Sequence, residues 1–393
     1  MTKIHSILIG LIVVVFFLDT GGPFGIRIYA LTLCLAIGFF SMIKQYSVRD
    51  TFFNSKSLLG FSYLFTLFIV YGFTSAALND VFFSSYIWLV PLLFFFIFTL
   101  FFSIFTSEKI IRGYVLSGVI FSIVILTVFF TALLLPKGAS QLFLLNFSSI
   151  PGWFYLKENG LFPGYPNIYF QATLGLVPVA IMAYNFGYKK SFLLMLFAMA
   201  FSLSRFGVFI SVSFVVYGYL VSLFKVSQKK QFDFVYSLSF LIGCFVFVSF
   251  VVFYFSQDGN YTHSFGSMNI RRGHILSIFD SVNLFNFVFG AGPGSFFYSL
   301  GFDAIVNNVE VSQLEVFRKY GLIGYLILHF SFHQFVKFLM LNNSLDLAYI
   351  FLSFYLVCLS NPILLTFNLS LLLAVLTIIS LNRRRMTKIQ LKS

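Results

Sequence analysis

Ionisable side chains without an obvious structural duty concentrate between Arg271 and Lys319 of a 393-residue chain in which charged residues make up only 9%. Arg271-Arg272 is followed by the glycine cluster Gly290-Ala291-Gly292-Pro293-Gly294. Glu310 and Glu315 come next, then Arg318-Lys319 running into Gly321 and Gly324. Arginine suits a phosphate or pyrophosphate, because its planar guanidinium stays charged and donates two parallel hydrogen bonds. A carboxylate nearby can act as a general base toward a hydroxyl. The chemistry these types allow is group transfer from an anionic leaving group to an alcohol.

Each candidate also has a plainer explanation. Arg205, between Ser204 and Phe206, either snorkels to lipid headgroups or forms an anion site facing the bundle. Arg271-Arg272 is either a solvated pair or part of a clamp with Arg205. Gly292, Pro293 and Gly294 permit a tight turn whose amides bind an anion or merely reverse the chain. The spacing differs from GxGxxG, so no dinucleotide fingerprint is present. If residues 309 to 319 are helical, Glu315 meets Arg318 at i+3 and Lys319 at i+4, and a local ion pair accounts for it. Glu310 has no such cation downstream. It is either a first-turn carboxylate behind the capping pair Asn307-Asn308 or the general base. His263 and His274 lie in the same loop. His329 and His333, spaced i and i+4, lack an accompanying carboxylate or cysteine, so they read as interhelical hydrogen-bonding groups and no metal site is expected.

The elements that position these residues are apolar. Hydrophobic residues make up 59% of the chain, and the mean hydropathy is +0.95. A soluble globular domain is excluded, and an all-α, polytopic membrane helix bundle is expected. Twelve apolar runs stand out: 4–18, 28–43, 58–78, 81–106, 110–135, 166–186, 190–204, 206–224, 234–255, 321–341, 346–360 and 363–381. They form a single transmembrane domain, with long loops at about 136–165 and at about 256–320, the latter between the ninth and tenth runs. The sixty phenylalanines carry no functional signal, since any large apolar side chain suits these positions. Cys34, Cys244 and Cys358 lie within apolar runs without metal or disulfide spacing.

The net charge of +13 comes from short clusters between the runs, not from one basic stripe, which argues against nucleic acid. With both termini cytoplasmic, most Lys and Arg residues fall in cytoplasmic loops, as topology rules favour. Arg27, Lys137, Lys157, Arg205, Arg271, Arg272, Arg318 and Lys319 remain outside, together with Asp19, Asp80, Glu158, Asp258, Asp280, Asp303, Glu310 and Glu315. That distribution favours chemistry at a membrane surface over transport through the bundle, where ionisable groups belong near the midplane.

Several motifs recur in a recognisable order. They are Ser204-Arg205 at a span boundary, Arg271-Arg272, the glycine cluster, Glu310 eleven residues before Gly321-Leu-Ile-Gly324, and Asn361-Pro362 between the last runs. Over roughly residues 160–382 the chain resembles the bacterial O-antigen polymerase (Wzy type) and O-antigen ligase family. Ligases of that family carry a His-Asn pair where this chain has Glu310-Val311, which argues for a polymerase. The resemblance implies a glycosyltransferase without cofactor or metal at the periplasmic face of the inner membrane. Its donor and acceptor would be undecaprenyl-pyrophosphate-linked glycans, and a chain-length regulator protein is a further implied partner. Arg205, Arg271 and Glu310 would be catalytic. Arg205, Arg271, Arg272, Gly292, Gly294, Arg318 and Glu315 would contact pyrophosphate or glycan. The competing expectations are a ligase that moves polymer onto a lipid core, and a lipid-linked oligosaccharide flippase or other transporter.

Overall fold

The computed structural model describes residues 2–18, 26–44, 55–148, 154–157, 167–202, 204–245, 249, 267–307, 309, 311–359 and 363–390. It is predominantly helical. In order, α1 spans Thr2–Leu18, α2 Ile26–Lys44, α3 Lys56–Leu78, α4 Phe82–Phe102, α5 Ser107–Leu134 and α6 Lys137–Ser148. A two-stranded hairpin, β1 (Phe154–Lys157) with β2 (Asn167–Phe170), precedes a 3-10 turn at Gln171–Gly175. Then come α7 (Leu176–Asn185), α8 (Lys189–Phe201), α9 (Arg205–Leu223), α10 (Gln228–Gly243), α11 (Ser267–Ser281) and α12 (Leu284–Phe289). A second hairpin, β3 (Phe297–Ser299) with β4 (Ala304–Val306), leads into α13 (Ser312–Leu341), α14 (Leu345–Val357) and α15 (Phe367–Gln390).

Five helices, α3, α5, α9, α13 and the 367–384 part of α15, are long and apolar enough to cross a membrane. Shorter apolar helices occupy most of the other predicted runs. One run departs clearly from expectation. Composition predicts a continuous span over residues 166–186, yet their described part begins as strand β2, tightens into the 3-10 turn, and is α-helical only over Leu176–Asn185. Asn167-Ile-Tyr-Phe170 is as apolar as a helix start, but β-branched and aromatic residues in a short run suit a strand equally well.

Several hydroxyls inside the bundle are satisfied locally. Thr99 donates to Phe95 O, Thr377 to Leu373 O and Ser117 to Tyr114 O, each within its own helix. Such back-bonding lets a hydroxyl sit in an apolar interior without an orphaned proton.

Two ends of the bundle can be told apart by their contacts. At one, Arg383 makes a two-armed ion pair with Asp346 (2.6 and 2.8 Å), and its guanidinium lies over the Phe186 ring. Asn342 donates to Ser380 and Asn382 to the Phe105 carbonyl at the same end. At the opposite end, Gly175 backs onto the Phe17 ring, Arg27 lies over Phe367, and Ser202 donates to Thr173 (3.0 Å). Arg205 opens α9 directly after that last contact. The alternation of helices between the ends places the turn after α3, the glycine cluster and the start of α13 at the Arg205 end as well.

The predicted 256–320 loop is largely structured over its described part. It forms α11, α12 and the β3–β4 hairpin, and its last residues, 312–320, are helical and buried. What reads as a polar loop by composition is therefore partly a helix enclosed by protein. Glu310 lies outside the described residues, as do Asn308, His263, Glu158, Asp258, Asp19, Asn361 and Pro362.

Candidate functional site

The first nine residues of α13 form a separate helical piece. Gly321 leaves the helical conformation (φ 63°, ψ −172°), so Ser312–Tyr320 and Leu322–Leu341 meet at a kink. Every residue from Ser312 to Gly321 is buried, including Gln313, Glu315, Arg318 and Lys319. A helix that breaks inside the protein leaves carbonyls without partners, and a second segment has to supply donors. The glycine cluster does so. Ala291 N–H donates to Arg318 O (2.9 Å) and Gly292 N–H to Lys319 O (3.0 Å).

This junction needs glycine on both sides. Gly290 and Gly321 have φ of 82° and 63°, a region that costs other L residues energy. Their backbones also touch. A Cβ on Gly290 would overlap the Lys319 carbonyl oxygen and the Gly321 nitrogen, and one on Gly321 would overlap the Gly290 nitrogen. Helix α3 closes the third side. Tyr71 and Ser75 hydroxyls donate to Phe289 O (2.9 and 3.3 Å), and Asn79 reaches Gly290 O (3.5 Å).

Beneath the junction lies a buried ionic cluster. Arg318 Nε donates to Glu315 Oε2 (3.2 Å), and Nη2 donates to Glu315 Oε1 and to Asn307 O (both 3.0 Å). Nη1 donates to Ser295 Oγ (2.9 Å) and Ser295 O (3.2 Å), and the guanidinium stacks over Phe297 at 4.5 Å. Those contacts use all five N–H groups of the side chain. Lys319 Nζ sits 2.5 Å from Glu315 Oε1, so one carboxylate holds two cations. The local ion pair expected from the i+3 and i+4 spacing is present. Its burial, and the role of Ser295 and Asn307 in completing it, were not visible in the sequence.

The expectation that Arg318, Glu315 and Gly292 contact substrate meets a geometric obstacle. In this arrangement Arg318 has no N–H left for a ligand, the Glu315 carboxylate is taken by its two neighbours, and the Gly292 amide is given to Lys319 O. Gly294 is buried in the same turn with φ 101°. The amides of residues 290–292 cap a helix instead of cradling an anion, since Gly290 N–H is also used, by Asn286 O.

The other arginines stand differently. Arg205, the first residue of α9, is exposed and has no hydrogen bond or ion pair among the described residues. Arg272 is exposed and Arg271 half-buried, both on α11. Arg205 shares an end of the bundle with them, but no contact joins α9 to α11 among the principal helix packings.

One turn beyond Arg271 on α11 stands His274, which composition alone places in a loop. It is fully buried, its Nδ1 lies 2.7 Å from Ser299 Oγ on β3, and its ring meets Phe302 edge-on at 4.7 Å. Ser299 Oγ also accepts from Phe302 N–H (3.2 Å), and Ser277 Oγ accepts from Leu300 N–H (2.7 Å), fastening the hairpin to α11. Burial pushes His274 down to about 4; Glu315 opposes that shift and Arg271 adds to it. His329 and His333 pair with Tyr355 on α14 and Ser239 on α10. Among the described residues, no group of three or more His, Cys, Asp or Glu could hold a metal ion.

What fold and site define together is a helical protein of membrane type, with a folded block of helices and hairpin laid over a broken, charge-bearing helix. Comparison with protein-family models, with curated proteins and with solved structures gave no match.

Proposed function

We propose that this chain is an inner-membrane glycosyltransferase that joins undecaprenyl-pyrophosphate-linked oligosaccharide repeats into a surface polysaccharide at the periplasmic face. The reading has twelve spans with both termini cytoplasmic, so that the Arg205 end of the bundle faces the periplasm. The observation that carries it is the contrast among cations at that end: Arg318 is consumed internally, while Arg205 and Arg272 are exposed and Arg271 is half-buried. Exposed guanidinium groups at a membrane surface suit a pyrophosphate whose isoprenoid tail stays in the bilayer.

In this mechanism Arg205, Arg271 and Arg272 hold the donor pyrophosphate and neutralise the charge that builds on it as the glycosidic bond breaks. Glu310 takes the proton from the attacking hydroxyl of the acceptor unit. Glu315 is left to hold Arg318 and Lys319. A chain-length regulator would act as a partner at the same face.

The test is a gel profile of surface polysaccharide from cells lacking the gene. A polymerase predicts lipid cores bearing one repeat and no ladder, restored by the wild-type gene. Bare cores with polymer accumulating on the lipid carrier would mean a ligase. Bare cores without carrier-linked polymer outside the membrane would mean translocation, and the proposal would fall.

A further inference from the structure

The β3–β4 hairpin has an unusual outer face. Strand alternation should direct one set of side chains to the protein and the other to water, where polar residues belong. The inward set behaves as expected: Ser299 is buried against His274, and Phe297 lies under Arg318. Tyr298 and Ile305, paired across the strands, point outward and are 51% and 72% exposed. Phe296 and Phe302 flank them at 63% and 42%. Leu284, Phe285 and Phe289 of α12 are exposed in the same block. Exposed apolar patches of this kind on a folded surface mark a place where something other than water makes contact.

Depth identifies that contact. Arg318 grips the base of the hairpin on both strands' flanks, through Ser295 O and Asn307 O. Arg318 is three residues, or about 4.5 Å of helix rise, from Gly321, where the apolar part of α13 begins. The second anchor is deeper. Phe289 O is held by Tyr71, which lies seven residues, or about 10 Å, inside the end of apolar α3. The block therefore does not stand off the bundle on a stalk. It is fastened directly to the ends of the apolar helices α3 and α13, and exposed Arg272 on α11, which packs against β3, adds a cation suited to phosphate headgroups.

We infer that the outer face of the β3–β4 hairpin, with α12, is seated in the headgroup and upper acyl layer of the bilayer, and so pins the extramembrane block to the membrane surface. The inference is independent of glycosyl transfer and would hold for any reaction at this end. A lipid surface is favoured over a protein partner because one anchor lies close to the level where the apolar part of α13 begins and the other lies about 10 Å inside the end of apolar α3.

The test uses the full-length chain in lipid nanodiscs, with Trp88→Phe and Trp153→Phe removing the native tryptophans. Single probes are then introduced at exposed positions that tolerate a large ring, Ile305→Trp and, separately, Leu284→Trp. Seating in the interface predicts blue-shifted emission. Phospholipids brominated near the top of the acyl chain should quench most of it, whereas aqueous iodide should quench little. Emission typical of water, quenched by iodide and unaffected by brominated lipid at both positions, would overturn the inference. Emission shielded from both quenchers would also overturn it, by showing that a second copy or another protein covers the face. A probe at Phe296→Trp separates these outcomes from local misfolding at either site, since a folded chain reports the same environment at all three.

Discussion

Two sets of charges share one end of this molecule and are built in opposite ways. Glu315, Arg318 and Lys319 are buried around one shared carboxylate, and Arg318 is further fixed by the Ser295 and Asn307 carbonyls that flank the hairpin. Arg205 and Arg272 are exposed on the first turn of α9 and on α11. Charges taken out of water persist only when their partners are complete, so the first set is locked and its removal should register as instability. Exposed arginines are held by nothing comparable, and their removal should register in ligand handling. Burial thus sorts residues that composition alone had grouped as a single site.

The strongest way to break this comparison is at the glycine junction. Gly321→Ala or Gly290→Ala places a Cβ against facing backbone at a positive φ, and each should cost more than about 3 kcal/mol. Loss of the monodisperse wild-type peak on size-exclusion chromatography in detergent would show it; a normal profile would mean the junction relaxes freely. Next, Arg318→Gln leaves Glu315 with one buried partner and strips donors from Ser295 and Asn307. It should cost about 3–5 kcal/mol, read as a lowered thermal midpoint. Replacing Arg318 and Glu315 together with Met and Leu should lose less than the single change, because no unpaired charge remains.

A subtler effect separates His274 from both sets. Its folded pKa lies at about 4, below the ordinary 6.5, so the unfolded state binds more protons through that window. The stabilisation is fully present above pH 6.5 and is lost as pH falls toward 4. Thermal melts of wild type should therefore decline over that range more than those of His274→Asn, which cannot take up the proton. The smallest effect is expected at Glu108, half of an exposed i, i+4 pair with Arg112. Glu108→Ala should change stability by no more than about 0.5 kcal/mol.

How much of this was legible in the sequence depended on range. The apolar runs announced the helices, and the i+3 and i+4 spacing announced the pairing of Glu315 with Arg318 and Lys319, because both signals are local. The contact of Gly290 with Gly321 links positions far apart in sequence, and nothing near either residue points to it. The partners that complete Arg318 are mostly backbone carbonyls, which leave no mark on residue types. His274 and Ser299 are likewise common residues until folding brings them together. For the glycine cluster the sequence offers an anion-binding turn or a simple chain reversal, and its capping of the Arg318 and Lys319 carbonyls is a third role that only the folded contacts show.

The most direct test of the division between locked and available charges is complementation of a gene-deleted strain with Arg205→Ala, measuring protein level in the membrane and surface polysaccharide on the same cells. The account predicts wild-type protein level with cores bearing a single repeat and no ladder. A normal ladder at normal protein level would contradict it, as would loss of the protein itself, because Arg205 would then belong with the structural charges.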